Sequence, residues 1–124
     1  MDFSNIDGYQ SSKERLKSAL VENRVAHAQL LVGQNPHSTL ALALWYVNEL
    51  LDHHDSFGRL VHPDVHFVFP INSSPLVKKD PLCGDFMELF RGAVLENPYL
   101  SLNQWYAAAS IEDKEGLIKV DVVK

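Results

Sequence analysis

The chain has 124 residues, 46% of them apolar and 22% charged, enough for one domain with a sizeable core or for part of a larger one. A formal charge of -5 argues against a domain whose main task is to grip phosphate backbones, which calls for a basic stripe, but not against membership of a nucleic-acid machine whose other subunits make those contacts. The single cysteine, Cys83, excludes an intrachain disulfide and a four-cysteine zinc site and fits a reducing compartment. The opening "MDFSNIDGYQ" has no secretory pattern, and the longest apolar run, Leu40 to Val47, is too short to span a bilayer. A soluble, cytoplasmic protein is expected.

In chain order, Ser11 and Glu14 have the spacing of a capping box and predict a helix start. Leu16, Ala19 and Leu20 supply its apolar face, and Glu22 to Arg24 close it. "AQLLVG" reads as a short buried strand stopped by Gly33. Leu40 to Leu51 is apolar on nearly every side, the pattern of a helix packed on a sheet and covered again outside. "VHFVFP", residues Val65 to Pro70, reads as a second strand. Two strands around an apolar helix predict a βαβ unit and hence an α/β fold with a parallel sheet flanked by helices.

Ile71 to Gly84 reads as an exposed connection. Phe86, Leu89, Phe90, Ala93 and Val94 then fall at helical spacing, with Asp85 as the expected cap and Asn97-Pro98 as the stop. Ser101 and Gln104 form another capping box, opening a short helix with Leu102, Trp105 and Tyr106 facing inward. Ile118, Val120 and Val122 alternate with polar residues as in a strand, and the pattern is still running at Lys124, so the chain is expected to continue.

The stretch "LLVGQNPHSTLALALWYV" has the outline of a phosphate-binding loop, an apolar strand running through glycine and a polar turn into a helix. The chemistry differs from G-x-x-x-x-G-K-[ST]. Counting from Gly33, Ser38 stands for the second glycine, Thr39 for the lysine and Leu40 for the magnesium-binding hydroxyl, while Pro36 has no N–H to offer. The loop Gly33, Pro36, Ser38, Thr39, Leu40 is therefore a degenerate P-loop, and neither a nucleotide nor any other cofactor is expected on it.

The flanks carry a resemblance. Phe3, Ile6 and Gly8, followed by Arg24, Val25, His27 and Ala28 just before the apolar run, fall where the bacterial clamp-loader proteins, the AAA+ subunits of DNA polymerase III, have F-x-x-(I/V)-x-G and R-(I/V)-x-H-A. Together with "LALALWYV", "HPDVHFVFPIN", "NPYLSLNQWYA" and "EDKEGLIKV", the chain most resembles the delta-prime subunits of Bacteroidetes type, over nearly its whole length. The resemblance implies a P-loop NTPase-like parallel sheet, incomplete in residues 1–124, with a helical insertion over about 71–116. It also implies a non-hydrolysing structural subunit with no catalytic residues of its own, working beside the delta and gamma/tau subunits and through them with the sliding clamp and primed DNA. Two departures are visible. The four-cysteine zinc module common in the family is replaced by "DHHDSFGRL", and the family's acidic motif, sensors and arginine finger have no counterpart up to Lys124.

Two other readings compete: an active ATP-binding subunit of gamma/tau type, disfavoured by positions 38 to 40, and a metal-dependent hydrolase. The second rests on His53, His54, Asp55, His62, Asp64 and His66, of which His62, Asp64 and His66 alternate and would share one side of an extended segment. The plainer reading of this cluster is a polar loop, with no metal bound. His27 reads as a hydrogen-bonding or capping residue, Cys83 as an idle thiol, and Phe86, Phe90, Trp105 and Tyr106 as two helices packing together.

Overall fold

A computed structural model describes residues 2–72, 81–111, 116 and 118. The chain divides into two compact units, Met1–His62 and Pro63–Lys124. Among the described residues four α-helices carry the architecture: α1 (Gln10–Val21), α2 (Thr39–Leu50), α3 (Cys83–Glu96) and α4 (Leu102–Ala108), with single 3₁₀ turns at Phe3–Asn5 and Phe57–Arg59.

The expected α/β parallel sheet is not formed. Helix accounts for 49% of the described residues, and among them no strand is present, Ile71 alone making a β-bridge. The physical reason is the supply of partners. A strand exists only as one side of a ladder, and among the described residues neither expected strand, 28–33 nor 65–70, has a backbone partner. The expected strand "AQLLVG" also fails as a buried element, since Leu30 is 86% and Val32 85% exposed. Of the strand expected near the end, Ile118 is exposed, whereas Val120 and Val122 lie outside the described residues, as do positions 73–80 of the expected connection.

In the first unit, α2 packs against α1 and the Phe3–Asn5 turn rather than on a sheet. It buries Ala41, Leu42, Leu44, Trp45 and Tyr46 together with Phe3, Ile6, Phe57 and Leu60, and the rings of Phe3 and Phe57 lie 5.2 Å apart. Helix α1 buries no residue fully. Leu16, Ala19 and Leu20 are half covered, and Lys13 reaches across to the Ile6 carbonyl and stands 5.6 Å from the Trp45 ring. Its start departs from the expected box. Tyr9 occupies the N-cap in the left-handed region at φ 56°, and Glu14 accepts from the Gln10 side chain at 3.2 Å.

The second unit is built on aromatic packing. Phe69 stacks on Phe90 at 4.3 Å, and Trp105 meets Phe69 and Phe90 edge-on at 5.0 and 5.4 Å, separations at which ring quadrupoles attract. Helix α3 begins at Cys83, so Asp85 is its third residue rather than its cap; its carboxylate accepts from the Leu82 N–H at 2.9 Å. The expected stop holds, with Asn97 as the C-cap. The box opening α4 is formed in both directions: Ser101 Oγ accepts from the Gln104 N–H at 3.2 Å and Gln104 Oε1 from the Ser101 N–H at 2.9 Å. Trp105 is buried and Tyr106 half-buried, but Leu102, expected inward, is 52% exposed.

These contacts set the stability of the second unit. Phe90→Ala, which removes the ring shared by Phe69 and Trp105, is expected to cost about 3–5 kcal/mol, and Ser101→Ala about 1 kcal/mol, both read from urea unfolding followed by circular dichroism. An unchanged midpoint for Phe90→Ala would refute this packing.

Candidate functional site

The loop from Gly33 to Leu40 is built as the start of α2. Leu42 closes the first helical bond to the Ser38 carbonyl at 3.0 Å, and Ser38 is the N-cap residue, although its hydroxyl makes no cap bond. Asn35 organises the turn. Its side-chain carbonyl accepts from the His37 N–H at 2.9 Å, and its backbone carbonyl accepts from the Ser38 N–H at 3.3 Å. With Pro36 between them, this is an Asx-turn with Asn ahead of Pro, a combination that favours turn initiation.

This arrangement bears directly on phosphate chemistry. A phosphate cradle presents consecutive backbone N–H groups to the ligand. Here position 36 has none, and the N–H groups of positions 37 and 38 are committed to Asn35. What remains is the set of unpaired N–H groups that opens any helix. The lysine position, Thr39, turns its hydroxyl back on the loop, where a Cβ added to Gly33 would meet Thr39 Oγ1 at 2.5 Å and the Tyr9 hydroxyl at 3.4 Å. Gly33 is thus required by close approach, and Thr39 serves as a packing residue. Leu40 is half-buried.

Beside the loop, a groove of 260 Å³ is lined by α1, by Leu30 to Gly33 and by the beginning of α2. The segment Leu30 to Gly33 that forms one wall follows Gln29, whose side-chain amide donates to the Tyr46 hydroxyl at 3.1 Å. His27, expected to cap or to bond a backbone group, is exposed.

The histidine and acid cluster is brought together only in part. His53 Nε2 lies 3.1 Å from Glu49 Oε1. His54 Nδ1 accepts from the Ser56 N–H at 3.2 Å and approaches the Ser56 hydroxyl at 2.8 Å, and its ring meets His62 edge-on at 5.0 Å. Among the described residues no group of three histidine, cysteine, aspartate or glutamate side chains is placed to hold a metal ion. Asp2 caps the Phe3–Asn5 turn; hydrogen bonds from the Ser4 hydroxyl and N–H hold its carboxyl below the usual carboxylate range. Cys83 is buried, with its thiol 3.5 Å from the Phe69 carbonyl.

Missed by sequence reasoning are Asn35, Tyr9 and Arg15, the last standing in the groove. The Asn35-Pro36 pair was the available signal for the first, while the other two reach the loop and the groove only through the placement of α1. Among the described residues no helix is long and apolar enough to cross a membrane. Comparison with protein-family models, with curated proteins and with solved structures finds no match for this chain.

The Gly33–Thr39 contact is testable by a double-mutant cycle. Gly33→Ala is expected to cost about 1–3 kcal/mol by overpacking, and a large part of that cost should disappear in a Thr39→Ala background, where the clashing hydroxyl is gone. Additive effects of the two changes in chemical unfolding would show that the residues do not touch.

Proposed function

We propose that this chain is a non-hydrolysing, structural subunit of the DNA polymerase III clamp loader, of delta-prime type, acting in the cytoplasm as one member of a hetero-oligomer with the delta and gamma/tau subunits. The reading rests on the order of the motifs around Phe3, Ile6, Gly8, Arg24, Val25, His27 and Ala28, followed at the expected distance by the Gly33–Leu40 loop. It does not rest on the architecture, which is helical. The observation that favours a structural role over ATP hydrolysis is Asn35, which occupies the N–H groups of His37 and Ser38 in a loop that also lacks the lysine and the magnesium-binding hydroxyl.

On this reading the subunit contributes surfaces while its neighbours bind and hydrolyse ATP, and its own contact with DNA is weak because its charge is -5. Calorimetry with ATP and Mg²⁺ is expected to show no binding; a micromolar dissociation constant would contradict the structural role. The replication assignment is tested separately, by capturing the protein from extracts of its own cells. Recovery of delta and gamma/tau subunits is expected. Recovery of no replication subunit, together with tight, salt-resistant DNA binding by the protein alone, would overturn it.

A further inference from the structure

The C-terminal end of α2 carries a cavity of 340 Å³, within the range of roughly 300–1,000 Å³ typical of small-molecule sites. Asn48, from the last turn of the helix, lines it together with Asp2, His53, His54, Asp55 and Arg59. All of them belong to the first compact unit. Asn48 is 5% exposed, and its backbone carbonyl already accepts from the His53 N–H at 2.9 Å. Its side-chain Nδ2, by contrast, is buried without any hydrogen-bond partner. A buried donor in that position has given up its hydration and received nothing in exchange. Nothing in the described chain meets it, so its acceptor comes from outside, as a water or as a ligand atom.

The surroundings narrow the chemistry. Arg59 is exposed and makes no ion pair with a described residue. His54 Nδ1 accepts from the Ser56 N–H at 3.2 Å, which places the hydrogen of the neutral ring on Nε2 as a further donor. His53 is engaged with Glu49 at 3.1 Å. Two carboxylates, Asp2 and Asp55, line the same cavity, and hydrogen bonds from Ser4 keep Asp2 ionised. A simple anion would satisfy Asn48 and Arg59 but meet both carboxylates. A simple cation would satisfy the carboxylates and leave Asn48 Nδ2 without an acceptor. Among the described residues no group of three histidine, cysteine, aspartate or glutamate side chains is placed to hold a metal ion. A ligand that carries both charges answers to both parts of the wall.

We propose that this cavity binds a small zwitterion, a free α-amino acid, whose carboxylate accepts from Asn48 Nδ2 and Arg59 while its ammonium faces Asp2 and Asp55. The site uses none of the loop from Gly33 to Leu40, and the proposal stands or falls independently of the clamp-loader assignment.

The test uses the full chain, isotopically labelled, and follows the Asn48 side-chain NH₂ resonances together with the backbone amides of His53 and Arg59. Glycine, alanine, glutamate and lysine are titrated as free amino acids, with acetate and methylammonium as probes of each charge alone. At least one amino acid is expected to shift these resonances at millimolar concentration. Acetate and methylammonium should each bind roughly ten-fold or more weakly than that amino acid, the scale of one lost hydrogen-bonded charge. Arg59→Gln, at an exposed position, should leave the fold intact and weaken binding roughly three- to five-fold. Asn48→Leu deletes the unmatched donor at similar volume, so it should abolish binding while its unfolding midpoint stays the same or rises. Should Asn48→Leu not fold, Arg59→Gln decides. The absence of a shift with every amino acid would overturn the proposal, as would acetate binding as tightly as the amino acids, or an affinity that neither substitution changes. A lowered midpoint for Asn48→Leu, with no shift in the unaltered chain, would overturn it by assigning Nδ2 to a structural water.

Discussion

An extended backbone cannot satisfy its own hydrogen bonds. Its N–H and C=O groups point sideways, and every one of them needs another chain segment, a side chain or water. This constraint bears on both segments expected as strands, 28–33 and 65–70, since among the described residues neither has a backbone partner. The second unit resolves it with side-chain donors. The Pro70 carbonyl accepts from Trp105 Nε1 at 2.8 Å, and the Phe69 carbonyl lies 3.5 Å from the Cys83 thiol. Phe69 itself is buried in the aromatic cluster, its ring packed against Phe90 of α3 and Trp105 of α4. In the first unit the Gln29 side chain donates to the Tyr46 hydroxyl at 3.1 Å and lies 3.5 Å from the Ala26 carbonyl, and among the described residues the backbone of 28–33 has no backbone partner.

The helices were legible in the sequence because helical bonds are local. A run apolar on nearly every side located α2 and apolar periodicity located α3, and the Ser101/Gln104 box was legible down to its two hydrogen bonds because both partners lie within one turn. The same spacing at Ser11 and Glu14 did not mark a start, because Gln10 already holds the Glu14 carboxylate and Tyr9 supplies a left-handed cap. The strands were not legible, since an apolar run states that a segment wants burial without stating what will cover it. Leu30 and Val32 show the difference: they have the composition of a buried strand and the exposure of a surface. The aromatic residues of α3 and α4 do pack on each other, Phe90 against Trp105, and they share Phe69, which comes from a segment with the pattern of a strand.

Part of the candidate site was equally open to reading. The loss of a lysine and of a magnesium-binding hydroxyl at Thr39 and Leu40 is a matter of residue identity. What the loop does instead depends on its three-dimensional turn. Asn35 can serve as acceptor for two N–H groups only because Pro36, with its fixed φ, bends the chain back over it. The metal reading of the histidines depended on their sharing one strand face, and without a strand that alternation brings no three ligands together among the described residues.

The balance at the loop then follows from magnitudes. A phosphate could recruit the N–H groups of His37 and Ser38 only by displacing Asn35, at a net cost of about 0.5–1.5 kcal/mol for each bond lost. A working cradle has those groups free beforehand and adds a lysine and a metal ion, whose charge-assisted contacts are roughly twice as strong as neutral ones. Placing a lysine at position 39 would supply the charge without releasing either N–H. It would also remove the Thr39 hydroxyl from its place over Gly33. The loop and the groove are therefore joined through Gly33, which lines the groove and has its side-chain space filled by Thr39. The residue at the lysine position is thus the one packed over Gly33, where the chain turns into α2.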